Sequence, residues 1–458
     1  MKKMKVPAIF VTFLAMVLLF PFGFSVHAEE SDGQLSFVYH TVLSGETLST
    51  IAQDMMGASS PSNINALLEA NNFPSPTTRV LVGSIIRVPI IDPRVGPVSA
   101  EQIVSMMGVG WNLGNTLDAH PHGNEEYMHP DVPLDVLETL WGNPVTTLEN
   151  ITAIREAGFN TIRIPVTWYN KLIGDDNFTV RPDWMDRVQQ VVDYAVENDF
   201  IIIINTHHDE RLFSLLDEEM DESLRALVSL WEQISERFRD YNHMLIFEGL
   251  NEPRTIGSPN EWGGGTPEEH VNINTLNQTF VDTVRASGGN NVTRVLMVPT
   301  YAAAAMPLAI EGFEMPTDPV NQVEKIAVSI HTYAPYWFAL HLGDARQMEW
   351  DPENPDDTGP IVWHFGLLYD AFISNGIPVV LGEMGALNRD NLQSRVDWTY
   401  FYTRHAGSMG IPVIWWDNGR SYGVSLYPAD GDFFGILERS DNTFPFPEII
   451  DALLRAIE

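Results

Sequence analysis

Eight short runs of Val, Ile, Leu and Phe, most of them followed by a stretch with helical periodicity, dominate the chain from residue 109 onward. They lie near 109–112, 161–165, 201–205, 245–249, 295–298, 326–329, 378–381 and 412–415. Within each run the apolar residues are nearly continuous, so each predicts a strand buried on both faces. Helices are predicted over 148–157, 185–198, 222–238, 271–286, 363–374 and 394–408, with 449–457 closing the chain. The segment 307–310, in the fifth unit, is a poor helix. Strands alternating with helices imply a parallel sheet with helical cover. Eight such units predict an α/β fold, a (β/α)8 TIM barrel with insertions. An open doubly wound sheet is the rival, but no Gly-rich phosphate loop follows the first run.

The ends of these runs carry the chemistry. In a barrel, functional groups gather where the strands end. Glu252, inside Asn251-Glu252-Pro253, follows the fourth run, and Glu383 follows Gly382 at the end of the seventh. One glutamate at a strand end is often only a solvated charge. Two of them suit glycoside hydrolysis by paired carboxyls, which sit about 5–5.5 Å apart when configuration is retained. The other ends supply Asn112, Asn115 and Asp118, then Arg163, His207 and His208, His331 and Tyr333, and Trp415-Trp416-Asp417-Asn418. Arg163 can keep Glu383 ionised, and Tyr333 can donate to it. Glu252 is expected to keep its proton through burial and nearby negative charge. Asn251 can hold a sugar 2-hydroxyl, and a tryptophan can stack on a sugar face.

Charge narrows the partners. The formal net charge is -35, from 61 acidic residues against 26 Lys and Arg. Such a surface repels phosphates, which argues against nucleic-acid binding and fits a neutral substrate. There are no cysteines, so neither disulfides nor thiol chemistry is available. Lys2, Lys3 and Lys5, an apolar stretch over 6–24 and Val26-His27-Ala28 read as an export signal over 1–28. A retained membrane anchor is the rival, since the apolar run is near the length needed to span, but after cleavage no membrane contact is expected. The mature protein is expected to be secreted, extracellular or wall-associated, and monomeric.

Ahead of the barrel, 37–90 has the order β-α-α-β. Its Tyr39-His40-Thr41-Val42, Ser44-Gly45-Glu46-Thr47-Leu48, Ile51-Ala52, Asn71-Asn72, Val82-Gly83 and Ile86-Arg87-Val88-Pro89 resemble a LysM module. The resemblance implies binding to N-acetylglucosamine glycans such as peptidoglycan or chitin; a spacer with a decayed groove is the alternative. A Pro- and Gly-containing linker over 91–98 then leads into the barrel domain, 99–458. Ser99 is placed to cap a first helix over 100–107.

Within the barrel, the motifs VGWNLGNTLD (109–118), NTIRIPVTW (160–168), IINTHHD (203–209), FEGLNEPR (247–254), SIHTY (329–333), Gly382-Glu383 and WWDNG (415–419) resemble the family 5 glycoside hydrolases. They are most similar to the cellulase and xyloglucanase branch, subfamily 4. The resemblance implies a retaining endo-β-1,4-glucanase acting on β-glucan, with Glu252 as acid/base and Glu383 as nucleophile. Arg163, His207, Asn251, His331, Tyr333 and Trp416 would line the reacting sugar, and Asn115, Asp118 and His208 would contact its neighbours. Adjacent strand residues face opposite ways, so either Trp415 or Trp416 can be the one that faces the sugar. No metal or cofactor is needed. His120, His122 and His129, with Glu125 and Glu126, match no compact zinc motif and read as a cleft-lining loop. The acidic 351–357 reads as a solvated loop, and Trp168, Trp262 and Trp337 as either sugar platforms or packing. Hydrolysis of another β-glycan, a wall-bound sugar-binding protein and, from the LysM module alone, peptidoglycan turnover are the remaining alternatives.

Overall fold

The computed structural model describes residues 37–458, except positions 57–58, 60, 90–91, 95, 130, 175, 322–323 and 423–431. The expected export signal lies outside the described residues. The chain divides into two compact units, Met1–Ile90 and Ile91–Glu458. Among the described residues no helix is long and apolar enough to cross a membrane.

In the first unit, β1 (Phe37–Thr41) pairs antiparallel with β2 (Ile85–Pro89), and helices Leu48–Met56 and Pro61–Asn71 lie between them in sequence. Ile51, Ala52, Leu67, Ile86 and Val88 form its buried core. Asn71 joins helix to strand, exchanging bonds of 2.7 Å with the Arg87 N–H and carbonyl. Glu46 pins the first turn, accepting from the Leu43 N–H at 2.6 Å and meeting His40 Nε2 at 2.7 Å. Beside that turn, Leu43, Leu81, Val82 and Ile85 remain exposed.

The second unit is a closed eight-stranded parallel barrel. Its strands are β3 (Val109–Leu113), β4 (Thr161–Ile164), β5 (Ile201–Asn205), β6 (Leu245–Glu248), β7 (Leu296–Ala304), β8 (Ile326–His331), β9 (Val379–Met384) and β10 (Val413–Asp417). Sequence neighbours pair around the circle, and β10 closes it against β3. Only Ala304 on β7 and Trp416 on β10 escape full burial among these strand residues. Such burial is why the apolar runs do not alternate.

Capping fixes several outer helices. Thr147 with Asn150, and Thr266 with Glu269, form reciprocal capping boxes on Leu148–Glu156 and Pro267–Ala286. Ser99 and Gln102 do the same for Ala100–Met106. That helix closes the N-terminal end of the barrel. Val98, Ala100, Ile103, Val104 and Met107 pack there against Ile201, Ile203, Ile246, Val295, Met297, Ala327, Val380 and Ile414. Burying each large aliphatic chain stabilises by about 1.5–3 kcal/mol.

One helix starts well ahead of its expected position. The helix predicted over 363–374 begins at Pro355, because the Asn354 side chain accepts from the Asp356 N–H and proline suits the first turn. The acidic 351–357 segment is therefore partly helical. Asp357 is buried, accepting from Gln347 Nε2 and the Asp351 N–H. The fifth unit, as expected, has only a short helix, Pro307–Glu311, while its strand continues to Ala304.

Candidate active site

The C-terminal ends of the strands converge on Arg163. Its position within β4 buries the side chain completely, and a buried guanidinium needs acceptors on all sides. It donates Nε to Glu248 Oε2 at 2.7 Å and Nη2 to Asn251 Oδ1 at 2.7 Å. Nη1 serves both Asn112 Oδ1 at 3.0 Å and Glu383 Oε1 at 2.9 Å. Glu248, the last residue of β6, is itself fully buried and also accepts from Asn205 Nδ2 and Ser329 Oγ. Arg163 and Glu248 thus cancel in charge. The sequence reading missed Glu248, although a charged residue in an otherwise apolar run was the available signal.

Above this pair stand the two predicted carboxyls. Glu252 Oε1 meets His331 Nδ1 at 2.8 Å, and His331 Nδ1 is 3.7 Å from Glu383 Oε1. Glu252, His331 and Glu383 each present a polar atom within 4.8 Å of the others. Tyr333 donates its hydroxyl to Glu383 Oε2 at 2.9 Å. Gly382 is explained by the same crowding, since a Cβ there would come within 2.8 Å of His331 Nε2.

The electrostatics run against the expected order of the two carboxyls. Burial pushes the Glu383 carboxyl up and the Glu252 charge adds to this, against His331 and Arg163. Burial also pushes Glu252 up, but the His331 hydrogen bond and the charges of His331, Arg254 and Arg163 outweigh it and leave the carboxyl lowered. The 2.8 Å contact with His331 is the largest of these lowering influences, and Glu383 has no hydrogen bond of that kind to His331.

His207 is buried, and burial together with neighbouring cationic groups holds its imidazole well below the usual value, hence neutral. Its tautomer follows from the neighbours. The Val166 N–H donates to Asn205 Oδ1 at 3.1 Å, which makes Asn205 Nδ2 the donor toward His207 Nδ1 at 3.1 Å. Nδ1 is then the acceptor and Nε2 carries the hydrogen, 3.9 Å from Glu383 Oε1. Trp416 lies parallel to the His207 ring, with centroids 5.7 Å apart and planes 2° apart. Trp415 is fully buried and donates to the Phe434 carbonyl, so Trp416 is the tryptophan that faces the site. Because Asn251 Oδ1 serves Arg163, its NH2 is the group left for a sugar hydroxyl.

The outlying residues divide. Asn115 adopts φ 58°, and its carbonyl accepts from Asn143. Asp118, expected to contact a sugar, is fully buried, and its oxygens accept from the Asn115 and Thr116 N–H groups at 3.0 and 2.7 Å. Burial raises its carboxyl to about 6, and its visible work is to shape the turn carrying Asn115. Half-buried His208 lines a cavity of about 590 Å³ with His120, His122, Tyr169, Arg211 and Arg254. His129 instead pairs with Asp131 at the surface, 3.3 Å away. Trp168 is fully buried, whereas Trp262 and Trp337 are exposed.

The loop bearing Glu252 is braced by β7. Ala302 and Ala303 both adopt left-handed φ, 51° and 48°, and the Ala302 N–H donates to the Pro253 carbonyl at 2.9 Å. Strain of this kind persists where the surroundings enforce it, commonly beside functional groups. Arg254, also missed, donates to the Glu252 carbonyl at 2.9 Å and lies 3.7 Å from Glu252 Oε2.

Comparison with known proteins gives a consistent answer. The family model for cellulase, glycosyl hydrolase family 5, matches residues 125–421, and the LysM domain model matches residues 40–89. Endoglucanase B of Neocallimastix patriciarum is 38% identical over 360 residues, covering 79% of this chain and 72% of that protein. Among solved structures, a GH5-4 broad-specificity endoglucanase from Ruminococcus champanellensis with bound cellotriose is 40% identical. It gives a TM-score of 0.73 over 78% of this chain and 99% of its own. A GH5 family lichenase from a Caldicellulosiruptor species is 42% identical, with TM-score 0.73 over 79% and 96%. Barrel, paired carboxyls and sequence likeness agree: the chain belongs to glycosyl hydrolase family 5 and carries a LysM domain ahead of its catalytic barrel.

Proposed function

We propose that the protein is a secreted, retaining endo-β-1,4-glucanase that cleaves internal bonds of β-glucan by double displacement. The observation that carries this reading is the meeting of Glu252 and Glu383, with carboxyl oxygens within 4.8 Å. That proximity suits a nucleophile and an acid on one sugar; inverting enzymes leave about 6.5–9.5 Å for a water molecule. Glu383 attacks the anomeric carbon as the glycosidic bond breaks, and Glu252 gives its proton to the departing oxygen. Glu252, now ionised, takes a proton from water. The water oxygen bonds to the anomeric carbon and releases Glu383.

The surrounding groups have separate tasks. Arg163, balanced by Glu248, and Tyr333 hold the two Glu383 oxygens. Asn251 and His207 Nε2–H offer donors to the hydroxyls of the reacting sugar, and Trp416 offers an apolar ring face. His331 positions Glu252 through their 2.8 Å hydrogen bond. Asn115 and His208 reach neighbouring sugars, and Asp118 supports Asn115 from beneath. Likeness to a lichenase supports mixed-linkage glucan as a second substrate for the same cleft.

The LysM unit serves as a tether to N-acetylglucosamine glycan, peptidoglycan or chitin. The exposed Leu43, Leu81 and Val82 beside the Glu46-pinned turn support this reading. Loss of chitin and peptidoglycan co-sedimentation in Leu81→Asp full-length protein is the expected result; unchanged sedimentation would contradict it.

The reaction is tested by reducing-sugar release from soluble cellulose derivative, xyloglucan, mixed-linkage glucan, mannan and peptidoglycan, with Glu383→Ala alongside. Activity on a β-glucan that is lost in the variant is expected. Activity on none of them, or activity retained in the variant, would contradict the reading.

A further inference from the structure

We infer that Tyr402 and Trp398, on the outer helix Leu392–Ser408, are positioning residues that aim the Tyr333 hydroxyl at the nucleophile. The inference rests on the reading of Glu383 as that nucleophile. Both residues are fully buried and reach the site only through backbone. They hold the segment leaving β8, where Tyr333 stands between Thr332 and Ala334.

The chain is gripped on each side of Tyr333. Tyr402 donates its hydroxyl to the Thr332 carbonyl at 2.7 Å, and Trp398 donates Nε1 to the Ala334 carbonyl at 2.9 Å. The two donors are four positions apart, so they project from one face of the helix. The other polar groups of Thr332 are also taken. Its N–H donates to the Glu383 carbonyl at 3.3 Å, and its hydroxyl meets His364 Nδ1 at 2.7 Å. Thr332 is therefore tied at once to β9, to helix Pro355–Ala371 and to helix Leu392–Ser408. Tyr333, the next residue, gives its hydroxyl to Glu383 Oε2 at 2.9 Å.

The Tyr402 hydroxyl is explained by this hold. Its ring packs against Phe365 and Trp398, with centroids 5.2 and 4.8 Å apart. A phenyl ring alone would fill that space, and a buried hydroxyl costs free energy unless it is bonded. Burial pushes the phenol up, so it stays a donor. The Tyr333–Glu383 bond depends steeply on direction. A misplacement of about 1 Å, caused by a change remote from the chemistry, can cost about 100-fold in rate.

The test is a double-mutant cycle on the full-length protein, read as activity per folded molecule on soluble β-glucan. Wild type, Tyr402→Phe, Tyr333→Phe and the double variant are compared. Tyr402→Phe keeps the ring and removes only the donor. Its kcat is expected to fall about tenfold, with KM within about twofold of wild type. In the Tyr333→Phe background the same substitution is expected to change kcat by less than about twofold, because the hydroxyl it aims is already gone. An unchanged kcat in the single variant, or an undiminished fall in the Tyr333→Phe background, would overturn the inference. Trp398→Phe, which frees the Ala334 carbonyl, is the second variant, and the same two results are expected of it. Wild-type protein inert on β-glucan would instead overturn the reading of Glu383, and the inference with it.

Discussion

At one end of the barrel the strands run into Ile103, Val104 and Met107; at the other they run into Arg163, Glu248, Glu252 and Glu383. Both ends are buried. The first is satisfied by shape alone, because aliphatic side chains need only to exclude water. The second must find a partner for every charge: its charged members come from β4, β6 and its following loop, and β9, and β8 adds Ser329 and His331 as partners. One closed sheet therefore supports two kinds of interior, one for stability and one whose charges are held for chemistry. Activity should be lost only from the charged end, while stability should be lost from either.

The largest contrast is in rate. Glu383→Ala is expected to lower kcat/KM on β-glucan by at least about 10⁴-fold, since the covalent route disappears with the carboxylate. Next is the charge beneath it. Glu248→Ala leaves Arg163 buried with less counter-charge and should cost about 3–5 kcal/mol in denaturant unfolding, with activity lost as well. At the opposite end, Ile103→Ala should cost about 2–4 kcal/mol by the same measurement. Its kcat/KM per folded molecule should stay within about twofold of wild type. A comparable activity loss there would dissolve the distinction between the two ends.

The smallest effect concerns pH. Glu383 is raised in the fold, so its protonated form is the one favoured by folding. That contribution is full below the ordinary value of 4.5 and is lost as pH rises through the raised value. Glu252 is lowered, and its contribution runs the other way: present above 4.5 and lost as pH falls through the lowered value. Glu383→Gln should therefore be more stable than wild type at pH 7, with the gain vanishing toward pH 4. Catalysis needs Glu383 ionised, so the acid limb of kcat/KM should have its midpoint above 4.5. Stability curves and rate profiles against pH check the two statements separately.

Much of this was readable from the chain alone. Strands buried on both faces leave continuous Val and Ile runs, so the barrel and its strand ends were visible. Glu252, Glu383, Arg163, His331 and Tyr333 were visible because polar residues at so many strand ends are conspicuous. What was hidden depends on side-chain direction and on partners distant in sequence. Glu248 sits in a run that otherwise reads as core, and Arg163, which explains it, is 85 positions away. Trp415 and Trp416 are adjacent and face opposite ways, so only the folded strand assigns one to the core and one to the mouth. The His331 contact that lowers Glu252 comes from another strand, and no local motif announces it. Asp118 looked like a strand-end ligand, but its oxygens are turned back onto its own loop.

The central claim is that Glu252 and Glu383 work on one sugar by two successive displacements. The direct measurement is the anomeric configuration of the first product, followed by proton NMR during early hydrolysis of a cello-oligosaccharide. Initial release of the β-anomer, with the α-anomer growing only by mutarotation, is the predicted result. Initial release of the α-anomer would mean a single inverting displacement and would contradict the account.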